Sequence, residues 1–149
     1  MRARIVMPQS AIEDLVVRPA VRVEAGSLGD VAAQMREANV SAVLLGTTGA
    51  IVTERDVARA MAAGLGPEAP AELVATAHPV RVPSAASIVQ VAAVLLNEEV
   101  RHVVVELPGG GEAVVSMRDV MAVLLQATDA HVWLTSLRVA IGISPVEPR

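Results

Sequence analysis

Two stretches of this chain decide how the rest is read: Ile51-Val52-Thr53-Glu54-Arg55-Asp56-Val57 and Val115-Ser116-Met117-Arg118-Asp119-Val120. Each runs from β-branched residues into a hydroxyl residue followed three positions later by an acid. That order marks a strand ending where a helix begins. Sixty-three residues separate the two stretches. Working outward, Val31-Ala32-Ala33 falls on Val91-Ala92-Ala93, Pro19 on Pro79, Leu28 on Ile88 and Val40 on Val100, all at a spacing of 60. The chain is therefore an internal duplication whose second copy carries three extra residues. They fall where Gly46-Thr47-Thr48-Gly49 faces the longer Pro108-Gly109-Gly110-Gly111-Glu112, and a Gly-rich hairpin turn tolerates such a length change.

Both copies show one order of elements. A short β segment, Val21-Arg22-Val23 or Val80-Arg81-Val82, precedes an amphipathic helix opened by Ser27-x-x-Asp30 or Ser87-x-x-Gln90. In the second copy Ile88, Val91, Ala92, Leu95 and Leu96 recur at three and four residues and share one helical face. Two strands around the Gly-rich turn follow, Ala42 to Leu45 with Ala50 to Val52, and His102 to Glu106 with Ala113 to Val115. A second helix starts at Thr53 or Ser116, and in the first copy Gly64 stops it. A β-α-β-β-α unit of roughly 45 residues buries too little surface to stand alone, so the two copies share a core. The expected fold is α/β (α+β), two such repeats packed with pseudo-two-fold symmetry, plus a C-terminal helix.

The organisation follows: an N-terminal extension over 1–11, repeat 1 over 12–64, a Gly/Pro linker over 65–70, repeat 2 over 71–127, and a helix and tail over 128–149. Short helical lead-ins, Ile12-Glu13-Asp14-Leu15-Val16 and Ala71-Glu72-Leu73-Val74, precede the repeats. In the tail Ala130, Trp133, Leu134, Leu137 and Ile141 share a helical face, which packs on its own repeats or at an interface.

Composition narrows the function classes. The 149 residues are 53% hydrophobic and 19% charged, enough for a core and too apolar for disorder. Zero Cys excludes disulfides, thiolate metal sites and Cys nucleophiles. A net charge of −4 with a single aromatic residue, Trp133, argues against nucleic acid, which requires a basic footprint or stacking platforms. All 12 basic residues are Arg, which reflects a GC-rich genome more simply than phosphate recognition. No apolar run reaches the roughly 18 residues of a membrane span, and the N-terminus lacks the apolar core of a signal peptide, so a cytoplasmic protein is expected. His78, His102 and His131 are scattered, which predicts no metal site. No nucleophile elbow, phosphate loop or dinucleotide fingerprint is present, so no enzyme is expected.

The duplicated frame with its two strand-to-helix motifs resembles the CBS-domain pair, or Bateman module, over about residues 12–127. The phrases that carry the likeness are Glu72-Leu73-Val74 leading to Pro79-Val80-Arg81-Val82, the run Val100-Arg101-His102-Val103-Val104-Val105, and the two opening stretches. The resemblance implies a regulatory module binding adenosine-containing ligands, of the AMP, ADP, ATP or S-adenosylmethionine type, in clefts where the repeats meet. It places nucleotide contacts on Thr53 with Asp56 and on Ser116 with Asp119. Arg101 and His102 would lie near phosphates, where the first copy has Ser41 and Ala42, so the two clefts are unequal. Where the family often has Gly three residues before the hydroxyl, this chain has Ala50 and Ala113, which narrows a cleft. No cofactor is required by this reading, which expects a stand-alone homodimeric sensor with an unidentified protein partner. The alternative is a dimerisation or partner-interaction module without ligand.

The motif chemistry supports two readings without the family. A helix N-terminus offers free N–H groups and a positive dipole end to a phosphate, and a carboxylate one turn on can accept from both ribose hydroxyls. Equally, Thr53-x-x-Asp56 and Ser116-x-x-Asp119 are capping boxes, as Ser27-x-x-Asp30 is where no ligand is proposed. Arg55 and Arg118, pointing away from their acidic neighbours, are read as surface residues.

Overall fold

A computed structural model describes residues 8–15, 19–24, 26–46 and 48–127, so the expected C-terminal helix lies outside the described residues. Repeat 1 contributes β1 (Arg22–Val23), α1 (Leu28–Ala38), β2 (Ala42–Leu45), β3 (Ile51–Thr53) and α2 (Glu54–Ala62). Repeat 2 contributes β4 (Arg81–Pro83), α3 (Ile88–Asn97), β5 (His102–Glu106), β6 (Glu112–Ser116) and α4 (Met117–Ala127). The β-α-β-β-α order holds in both copies. Several strand boundaries differ from expectation by one residue, among them the ends of β3 at Thr53 and of β6 at Ser116. The ladder carries on to the pairs Ala42 with Thr53 and His102 with Ser116, so each hydroxyl residue both ends a strand and precedes a helix.

Each copy forms a three-stranded sheet, ordered β1-β2-β3 or β4-β5-β6. The first pair in each is parallel and the second antiparallel, because a helix crossover joins parallel strands while a tight turn joins antiparallel ones. The duplication extends to backbone detail. Asn39 and Glu99, 60 residues apart, end α1 and α3 with positive φ, 52° and 53°. Gly64, at φ +88°, closes α2, with Leu65 N–H donating to Ala60 O and Gly64 N–H to Met61 O.

Strand alternation sorts the apolar residues into three layers. Val43, Leu45 and Val52 pack with Leu28, Val31 and Met35 of α1. Val103, Val105 and Val115 pack with Ile88, Val91 and Leu95 of α3 and with Val120 and Val123 of α4. The opposite sheet faces meet each other through Ala42, Leu44, Ile51 and Val104. This seam, buried on both sides, is the shared core that units of this size need.

The lead-ins cross over. Ile12, in the 3-10 turn Ile12–Asp14, is fully buried in the core of repeat 2. Its N–H donates to Ala86 O at 2.7 Å, and Ile88 N–H donates to Ser10 O at 3.0 Å. Ala71, in the turn Ala71–Leu73, is buried in the core of repeat 1. Its N–H donates to Gly26 O at 2.9 Å, and Leu28 N–H donates to Ala69 O at 2.8 Å. Each repeat's core is thus completed by the segment that precedes the other repeat.

Candidate functional site

Both sequence motifs reach the same place because the register fixes them there. Thr53 and Ser116 end β3 and β6 opposite Ala42 and His102, the first residues of β2 and β5. At that end of the seam the structure has an open cavity of about 1670 Å³. Thr53, Asp56, Arg101, His102, Ser116 and Asp119 all line it. The six candidate residues, drawn from two repeats, share one concavity.

The motif residues are locally satisfied. Asp56 Oδ2 accepts from Thr53 N–H and from Thr53 Oγ1–H, both at 2.8 Å, while Asp56 N–H donates to Thr53 Oγ1 at 3.3 Å. Ser116 and Asp119 repeat this arrangement at 2.8, 2.8 and 3.2 Å. So do Ser27 and Asp30, at 3.0, 2.8 and 3.1 Å, outside the cavity. Those bonds from Ser27 hold the Asp30 carboxyl below its ordinary value. The motif geometry alone therefore does not mark a site.

What separates the helix starts is the strand or lead-in lying against them. At α1 the first three N–H groups are all taken, Leu28 by Ala69 O, Gly29 by Pro67 O and Asp30 by Ser27 Oγ. At α3 the same holds, Ile88 by Ser10 O, Val89 by Pro8 O and Gln90 by Ser87 Oγ. At α2 and α4 only the first and third are taken. Glu54 N–H donates to Ser41 O at 3.0 Å and Met117 N–H to Arg101 O at 2.8 Å, with Asp56 and Asp119 held by their caps. The second, the N–H of Arg55 and of Arg118, has no partner among the described residues. Two polar helix starts are plugged by carbonyls of the segments just before the lead-ins, and two open on the cavity. Sequence reasoning named free N–H groups at a helix start as phosphate donors but did not distinguish which of the four starts keep them, because that depends on where the segments around residues 8–10 and 67–69 dock. Both Arg side chains are exposed, as expected, and both residues line the cavity.

His102 stands differently from expectation. It belongs to repeat 2, yet its Nε2 lies 2.8 Å from Ser41 Oγ of repeat 1. Burial pushes its imidazole below the ordinary value, against the pull of Asp119, Glu54 and Asp56 and with a small push from Arg101. Carboxylates of both motifs act on one ring, which makes His102 a residue of the seam and not of one cleft. Ser41, its partner, carried no sequence signal beyond its place beside Ala42. Arg101 is exposed at the cavity wall.

Farther along the seam, Glu112 joins the sheets. Its carboxylate takes Arg22 Nη2 of repeat 1 at 2.8 Å and Arg81 Nη1 of repeat 2 at 2.6 Å, and its backbone O accepts from Ala20 N–H at 2.8 Å. Among the described residues no group of three or more His, Cys, Asp or Glu is placed to hold a metal ion. No helix among them is long and apolar enough to cross a membrane.

No family model and no curated protein matches the sequence. Solved structures do. A CBS domain protein from Pyrobaculum aerophilum, complexed with AMP, is 28% identical with a TM-score of 0.68, over 78% of this chain and 97% of its own. A CBS-domain-containing protein from Agrobacterium tumefaciens, 24% identical, shares the fold with a TM-score of 0.67 over 75% and 96%. So does a CBS domain pair in complex with 5′-methylthioadenosine and S-adenosyl-L-methionine, 16% identical, with a TM-score of 0.70 over 81% and 100%.

Proposed function

The chain is a CBS-domain pair, and from that premise we propose that it is a regulatory ligand sensor taking an adenosine-containing small molecule at the seam. The observation that carries this reading is the contrast between helix starts. Those of α2 and α4 line the cavity with the Arg55 and Arg118 N–H groups unpartnered among the described residues. A phosphate accepts from such donors and gains from the helix dipole. Asp56 and Asp119 use Oδ2 for the cap, and Oδ1 has no bond among the described residues, so it is the oxygen assigned to ribose. The ligand bound by the Pyrobaculum protein, AMP, has both groups. Thr53 with Asp56, Ser116 with Asp119, and Arg101 with His102 form the proposed contacts. We assign the molecule a cytoplasmic, non-catalytic role as a homodimer acting on a protein partner.

Native mass spectrometry of the purified protein before and after adding AMP, ADP, ATP and S-adenosylmethionine tests the reading. A ligand at about one hundred times its Kd stabilises the fold by roughly 2.7 kcal/mol, a melting shift on the order of 5 to 10 °C. No mass adduct and no shift above about 1 °C, on protein confirmed empty, overturns it.

The second reading is an interaction module without ligand. It is favoured by the closed capping boxes at all four motif residues and by the exposed apolar side chains of Met61, Leu73, Leu96 and Leu125. The same experiment decides between the two.

A further inference from the structure

A hydroxyl and an imidazole from different repeats meet at the wall of the proposed ligand cavity. Ser41 Oγ and His102 Nε2 are 2.8 Å apart, and both residues line the cavity. A serine hydroxyl donates to a neutral imidazole nitrogen and accepts from a protonated one, so it holds the ring in either state. The other ring nitrogen, Nδ1, has no bond among the described residues. The charged groups acting on the ring come from each element around it: Glu54 and Asp56 of α2, Asp119 of α4, and Arg101 just before β5. Three carboxylates and one guanidinium act on the ring, and Arg55 and Arg118 also line the cavity, so a proton on the imidazole adds to the positive charge offered to an incoming phosphate.

We propose that His102, steadied by Ser41 across the seam, takes up a proton when a phosphate-bearing nucleoside enters the cavity, so that phosphate binding is coupled to pH and binding of an uncharged nucleoside is not. The inference rests on the ligand-binding reading above and extends it to a class of ligand and a mode of regulation. The proton comes from solvent and completes an imidazolium with a hydrogen on each ring nitrogen, Nε2–H donating to Ser41 Oγ and Nδ1–H left free for the phosphate. The imidazolium then offsets the phosphate charge and donates a charge-assisted hydrogen bond. In the free protein burial holds His102 below its ordinary value. The ring is therefore neutral near pH 7 and has a proton to gain.

Calorimetric titration near pH 7 in two buffers of different ionisation enthalpy counts the protons taken up on binding. With AMP the wild type is expected to take up about half a proton or more, and with adenosine none. His102→Gln is expected to bind AMP several-fold more weakly with that uptake abolished, its fold checked by melting. In parallel, histidine ring resonances of the wild type, assigned with His78→Gln and His131→Gln, should show His102 titrating at higher pH once AMP is bound. This arm needs no His102 variant. AMP binding with no uptake in the wild type, uptake equal in His102→Gln, or a His102 titration unmoved by AMP overturns this inference and leaves the sensor reading standing. No binding of AMP, adenosine or S-adenosylmethionine overturns the sensor reading and this inference with it.

Discussion

Ser41 Oγ and His102 Nε2 lie 2.8 Å apart although the duplication aligns Ser41 with Arg101 and Ala42 with His102. The bond is off-register with respect to the repeat. A symmetric pair of sheets would set like residues against like, and here the position after Ser41 is a methyl while that after Arg101 is an imidazole. The imidazole spans the seam and finds the hydroxyl of the other copy. The asymmetry between the copies is therefore concentrated at one contact, on which carboxylates from both motifs act.

The first prediction concerns pH and the empty protein. His102 is held below its ordinary value of 6.5 in the fold, so the unfolded chain binds that proton more readily. Its contribution to stability is full above pH 6.5 and is lost progressively as pH falls below 6.5 through the folded value. Melting temperatures of wild type and His102→Gln between pH 8 and pH 5 should diverge in slope below 6.5, the variant being flatter. Parallel slopes would show that the ring bears no differential charge on folding.

Asp119→Glu and Asp56→Glu separate capping from ligand contact. Glu suits a capping box, so stability should be unchanged or slightly raised, whereas an added methylene displaces the oxygen meant for ribose. Affinity for the bound adenosyl ligand should fall by at least about tenfold, or roughly 1.4 kcal/mol. Undiminished affinity in both variants makes the two acids caps and nothing more.

Ile12 precedes repeat 1 and completes the core of repeat 2, where it is fully buried beside Ile88, Val91 and Val105. Ile12→Ala should cost about 2 to 4 kcal/mol. Hydrogen exchange should quicken more in α3 than in α1, and the reverse order would place the lead-in on its own repeat.

Glu112 is the acceptor for Arg22 and Arg81, from opposite sheets. Glu112→Ala should lower stability by about 1 kcal/mol, with a smaller loss at high salt. A double-mutant cycle with Arg22→Met measures the part that crosses the seam. Zero coupling would assign the carboxylate to Arg81 alone.

The proposed dimer has its own test in the tail. Cutting the chain after Ala127 removes the apolar residues Trp133, Leu134 and Leu137 and should lower the association state by sedimentation at low micromolar concentration. An unchanged dimer would remove the tail from the interface.

Much of this molecule was determined by the sequence alone because the forces involved are short-ranged. A capping box joins residues three apart, so Ser27, Thr53, Ser87 and Ser116 could each be read as a helix start and each is one. Alternation is also local, and β2 and β5 begin and end where it put them. The 60-residue match carried the β-α-β-β-α order through both copies. Strand ends shifted by a residue where the partner strand offered another rung, at Ala42 with Thr53 and His102 with Ser116. Tertiary structure decided what distant segments do to one another. It assigned Ile12 to the core of repeat 2 and Ala71 to that of repeat 1, because an apolar side chain in a short turn packs wherever the space is and leaves no period to read. That docking brings the carbonyls just before each lead-in, of Pro67 and Ala69 and of Pro8 and Ser10, onto the N-termini of α1 and α3 and leaves those of α2 and α4 at the cavity. Four starts with closely similar local chemistry thus divide into two structural caps and two candidate ligand sites, through contacts made tens of residues away.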